Sequence, residues 1–171
     1  MTTTQAAITS RMKKAFAAIV YMSDTELDKL ELYLTQHMRK DPVAGAIRQS
    51  ASRSCDVLAT AVKVASILHP SSNIHENGDA LLARLATGTS AEMAYLAVLV
   101  GTKLTRGDYS LLMRDGLTGI DILDQASDDQ ILGCVGGDSL KLLEIRGAID
   151  VARENNLADG IDIKPYESAK A

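Results

Sequence analysis

Thr89-Ser-Ala-Glu-Met-Ala-Tyr-Leu-Ala-Val-Leu-Val-Gly-Thr-Lys-Leu-Thr105 is the stretch on which the fold turns. Thr89 to Glu92 has the form of a capping box, in which a hydroxyl and a side chain three residues on satisfy each other's backbone N–H groups. From Met93 to Gly101 no charged side chain interrupts. A helix that is apolar on every side must be surrounded by other elements. This run is far shorter than the roughly 20 residues a bilayer requires, so 92–104 reads as a central core helix and not as a membrane span.

The neighbouring segments read as helices too. Upstream, Pro42 in a first-turn position opens the longest, to about Leu68. Within it Ala44, Ile47, Ala51, Ser54, Leu58, Ala61, Ala65 and Leu68 alternate strictly by three and four. That is the seam of a helix lying along another, and its small residues let the backbones approach. Before it, Ala6, Ile8, Met12, Phe16, Ile19 and Val20 form the apolar face of a helix over 5–22. Ser23-Asp-Thr-Glu26 is a further capping-box pattern, starting a helix to Lys40 with Leu27, Leu30, Leu34 and Met38 as its stripe. After His69-Pro70, Asn77-Gly78 predicts a turn, and a short helix covers 79–86.

Downstream, Arg106-Gly107-Asp108 reads as a helix terminator and turn, followed by short pieces near 109–114 and 118–126. Ser127-Asp-Asp-Gln130 is a third capping-box pattern, and its helix must break by Gly136-Gly137. Asp138 or Ser139 then caps a last helix to about Asn156, with Leu140, Leu143, Ile145, Ile149 and Val151 expected inward. One Phe, five Tyr and no Trp leave the core to aliphatic residues, which suits closely packed helices. The expected fold is all-α: a compact bundle of about seven helices. It forms a single domain over 1–158 with a helical hairpin at 127–156, and 159–171 are a polar mobile tail.

Charge is divided along the chain. Residues 1–70 carry nine Lys/Arg against six Asp/Glu, and residues 71–171 carry nine against sixteen. The acid concentrates at Asp108, Asp115, Asp121, Asp124, Asp128 and Asp129, which face only Arg114. Such a molecule can pair head-to-tail with copies of itself or offer unlike faces to partners.

The motifs that carry chemistry are weak. Ser127 to Ile145 looks like a helix-turn-helix, but Leu132 stands where that motif needs a small residue and Gly137 where it needs a hydrophobe. Gly133 to Ser139 places glycines at a helix N-terminus, where an anion can be held, yet it lacks the lysine and the preceding strand of a phosphate loop. The acids of 121–129 do not have calcium-loop spacing, and His37, His69 and His75 have no zinc-site pattern. Cys55 and Cys134, without a secretion signal, read as reduced thiols. No cofactor is implied.

The expectation is a cytoplasmic, non-enzymatic interaction module that self-associates and binds another protein, with no membrane attachment. Ala44, Ile47, Ala51 and Leu58 are the association seam, if that face is exposed. Two alternatives are kept. One is a nucleic-acid-associated regulator using Arg11, Lys13, Lys14, Arg48 and Arg53, or the 127–156 hairpin. The other is a structural subunit of a larger assembly held by acidic and basic ends.

Overall fold

The computed structural model describes residues 4–23, 29 and 44–159. All regular structure among them is helical. The described residues form eight α-helices with these bounds: α1 (Gln5–Tyr21), α2 (Ala44–Leu68), α3 (Ile74–Thr87), α4 (Ala94–Val100), α5 (Arg106–Arg114), α6 (Ile120–Gln125), α7 (Asp128–Cys134) and α8 (Ser139–Asp159). Single 3-10 turns, Ala91–Met93 and Gly101–Lys103, flank α4. The expected helix over 23–40 and the tail beyond 159 lie outside the described residues.

The bundle has two apolar clusters. The larger gathers Met93, Leu96, Ala97 and Val100 of the central segment with Leu104, Tyr109, Leu112, Leu123, Ile131, Ile145 and Ile149. It is the core foreseen around 92–104, although Val98 faces outward, so that helix is not enclosed on every side. The smaller cluster joins Tyr21 of α1, Ile47 and Ala51 of α2 and Leu85 of α3. Helix α3 belongs to both, since Ala83 packs on the first and Leu81 on the second.

Several local expectations change for identifiable reasons. The helix 92–104 is interrupted at Gly101, where φ is +63° and ψ −137°, a conformation that glycine alone takes at little cost. The Gly101 carbonyl then accepts the Tyr109 hydroxyl at 2.8 Å, which satisfies a buried donor. The Thr89–Glu92 capping box does not form. Ser90 is the N-cap without a capping side chain, and its hydroxyl meets Met113 Sδ at 3.1 Å. Arg106-Gly107-Asp108, expected to end a helix, instead starts α5, with a capping box between Thr105 and Asp108. The Ser127–Gln130 capping box is present as read, and α7 ends before Gly136 and Gly137, both at positive φ.

Asn77-Gly78 does not turn; it lies inside α3. Gly78 serves a different need there. Helices α2 and α3 run antiparallel through the turn at 69–73, and a Cβ on Gly78 would lie inside the Val62 side chain. Further along the same pairing the Cys55 thiol points to the Leu82 carbonyl. Valine is stiff at χ1 and gives way poorly. Gly78→Ala, which helix propensity alone would favour by about 1 kcal/mol, is therefore expected to destabilise the chain by about 1–2 kcal/mol in urea denaturation. Val62→Ala in the same chain is expected to recover part of that loss.

Candidate protein-interaction surface

The association seam is filled from within the chain. Ile47 and Ala51 are only 3% and 1% exposed, against Tyr21 and Leu85, and Leu58 is half-buried on the same cluster. These residues are core, so the expected seam is not a free surface there. The cause is α1, whose Ala17, Ala18 and Tyr21 turn towards α2 and α3 and occupy it. The side chain of Ala44 lies outside what is described. Beyond Leu58 the seam does not continue inward: Ala61 is exposed and Leu68 is 68% exposed.

What α1 buries explains what it exposes. Its inward side is formed by Ala17, Ala18 and Tyr21 with Val20 beside them; of the face expected to be core, Val20 packs on the smaller cluster, whereas Ile8, Met12, Phe16 and Ile19 point to solvent. Met12, Phe16 and Ile19 are 67%, 52% and 64% exposed. On a helix these four residues lie on one side, opposite Ala17 and Tyr21. Helix α2 adds an outward line of Val57, Ala61, Val64 and Leu68, with Ile67 beside it. A large apolar side chain left in water forgoes up to about 1.5–3 kcal/mol of burial. Contiguous patches of this kind mark interaction sites more often than single exposed hydrophobes do.

The last helix behaves in the same way. Ile145, Ala148, Ile149 and Ala152 of α8 are buried, whereas Leu140, Leu143 and Val151, expected inward, are 73%, 65% and 46% exposed. The bases of α8 are drawn to the sides of the core. Lys141 Nζ donates to both oxygens of Asp108, at 2.8 and 3.1 Å. Arg146 donates to the carbonyls of Leu123 and Ala126, at 2.9 and 2.7 Å, and to Asp128 at 2.7 Å. Arg153 pairs with Asp124. The outward side of α8 is left with Glu144, Asp150 and Glu154 among its leucines.

The five basic residues of the alternative reading, Arg11, Lys13, Lys14, Arg48 and Arg53, are all exposed, on two helices that pack together. Helix α1 carries no acid, and α2 carries only Asp56. On the 127–156 hairpin, Lys141 and Arg146 are half-buried on Asp108 and Asp128, and the exposed Arg153 pairs with Asp124.

The remaining chemical candidates are taken up internally. Asp138 Oδ1 accepts the backbone N–H groups of Leu140 and Lys141, so the start of α8 already holds a carboxylate. Asp124 and Asp128 are separated onto different arginines. Among the described residues, no three His, Cys, Asp or Glu gather closely enough to hold a metal ion. The thiols are held in the weakly nucleophilic protonated form. Burial, then the neighbouring Asp56, pushes Cys55 up, and burial together with the hydrogen bond to Asp115 pushes Cys134 up to about 11. No described helix is long and apolar enough to cross a membrane. No protein-family model, curated protein or solved structure matches this chain.

The part-buried ion pair between Asp108 and Lys141 joins α8 to α5 and gives a pH signature. Burial by itself would raise the Asp108 carboxyl. Hydrogen bonds from Lys141 and from the Thr105 hydroxyl and backbone N–H outweigh it and hold the carboxyl below its usual range. A carboxyl depressed by folding adds stability above its unfolded pKa of about 3.9 and loses it as pH falls through the folded value. Unfolding free energy is expected to fall from about pH 5 downwards, and Asp108→Asn is expected to flatten that slope while lowering stability at neutral pH. Urea titrations from about pH 7 to pH 3 check this.

Proposed function

We propose that this chain is a non-enzymatic helical interaction module that self-associates and binds another protein through outward apolar stripes. The observation that supports this reading is the arrangement of α1. Its side bearing Ala17, Ala18 and Tyr21 is packed inward, and Ile8, Met12, Phe16 and Ile19 face water. Helix propensity and packing among the described residues do not call for Phe16 or Met12 at those positions; a contact with another surface would. The α2 line through Val57, Val64 and Leu68 is a second apolar surface, set apart from the inward face of that helix, and suits a partner protein.

Light scattering coupled to size-exclusion chromatography tests the reading. The chain is expected to show a mass that rises with concentration, and Phe16→Glu to shift it towards monomer by at least about tenfold in dissociation constant. Because Phe16 is a surface residue, thermal stability is expected to stay within about 0.5 kcal/mol of the parent. A monomer at every concentration would remove self-association from the reading.

A further inference from the structure

We infer that the surface that covers the α1 stripe is the outward face of α8 from a second copy of this chain, laid antiparallel across it, so that the copies join head-to-tail. This rests on the self-association proposed above and names its geometry. Both stripes are exposed in the same molecule, so neither covers the other within one copy.

Four observations carry the pairing. The first is charge. The α1 stripe is flanked by Arg11 on one side and Lys13 on the other, with no acid on the helix, and the α8 stripe is edged by Glu144, Asp150 and Glu154. Of the α8 bases, Lys141 and Arg146 turn to Asp108 and Asp128, and Arg153 pairs with Asp124. Glu144 is met by Lys103 at 2.6 Å and Asp150 lies 3.7 Å from Arg153, while Glu154 has no ion-pair partner among the described residues. The second is length: Ile8 to Ile19 and Leu140 to Val151 span the same number of residues, about 17 Å of helix.

The third is spacing. The α1 stripe steps by four, four and three through Ile8, Met12, Phe16 and Ile19. The α8 stripe, read backwards, takes the same steps through Val151, Gly147, Leu143 and Leu140. An antiparallel alignment therefore sets Ile8 against Val151, Met12 against Gly147, Phe16 against Leu143 and Ile19 against Leu140. In that register Arg11 lies two residues, about 3 Å of helix, from the level of Asp150, and Lys13 the same from that of Glu144.

The fourth is Gly147 itself. It lies inside α8, is exposed, and a Cβ there would meet nothing within 4 Å. Glycine in a helix interior is unfavourable relative to alanine, and nothing among the described residues needs the space. A methionine from an adjoining copy would use it. Because the two faces differ, the contact is heterologous, and repeated copies extend into an open chain or close into a ring.

Complementation with the full chain tests this. Phe16→Glu spoils the α1 face and leaves α8 intact; Leu143→Lys spoils the α8 face and leaves α1 intact. Each alone is expected to associate at least about tenfold more weakly than the parent by sedimentation velocity, with helical content unchanged in circular dichroism. Mixed in equal amounts they are expected to form a dimer and nothing larger, since each supplies the face that the other lacks. Gly147→Gln is expected to melt no lower than the parent and yet to weaken association by a similar factor. Raising salt from about 0.05 M to 0.5 M is expected to weaken assembly of the parent. If Leu143→Lys and Gly147→Gln assemble like the parent, the head-to-tail geometry is overturned while self-association stands. If the two variants are each monomeric and their mixture stays monomeric, the geometry is likewise overturned. A parent that is monomeric throughout overturns the self-association reading itself.

Discussion

The guanidinium of Arg106 is the interaction on which the arrangement of the bundle depends. It stands at the first position of α5, where the helix dipole disfavours a cation, and it reaches away from that helix to two others. Its Nε donates to the carbonyl of Gly88 at 2.8 Å, at the end of α3, and its Nη2 donates to Ser23 at 3.0 Å, just past α1. It also lies 5.3 Å from the centre of the Tyr21 ring. Helix C-termini leave carbonyls without partners, and one side chain here satisfies two of them at once. The larger and smaller apolar clusters are thereby joined across chain positions that lie far apart in sequence. Gly88, at φ +70°, admits this contact, because a Cβ there would come within 2.8 Å of Arg106 Cδ.

With α1 tied in this way, its orientation follows. Tyr21 and Ala17 must face α2 and α3, and the opposite side of a regular helix must then carry Ile8, Met12, Phe16 and Ile19 outward. The same logic governs α8. Lys141 and Arg146 are held by Asp108 and Asp128, and those two pairs set the rotation of the helix about its axis. Once they are made, Leu140 and Leu143 have no route to the core. Polar contacts that look like surface decoration thus decide which apolar residues are left in water.

Much of the architecture was legible in the residues. The helical class, the central apolar segment, the break at Gly136-Gly137 and the Ser127–Gln130 cap all rest on local chemistry, which the sequence carries directly. The direction in which helices face was not. Periodicity identifies an apolar stripe, but α1 and α8 each have two candidate sides: Ala17, Ala18 and Tyr21 against Ile8, Met12, Phe16 and Ile19 in α1, and Ile145, Ala148, Ile149 and Ala152 against Leu140, Leu143 and Val151 in α8. In both helices the side that carries alanines is the buried one, because they permit close helix approach. Asn77-Gly78 failed for a related reason: the glycine was needed for proximity to Val62 rather than for a turn. The ion pairs that rotate α8 join residues such as Asp108 and Lys141, whose separation no local pattern reveals.

The unequal size of the two clusters has a mechanical consequence. The larger one draws on every element from α4 to α8, so disturbing it dissolves most of the molecule at once. The smaller one closes around a handful of side chains, with Tyr21 as its largest anchor, and lifting α1 from it would sacrifice comparatively little buried surface. Release of the first helix would open the smaller cluster, while the larger one has no residue of α1 among its members. A surface that grips α1 from outside would do more than attach: it would supply the second half of a clamp whose first half the chain has built only thinly.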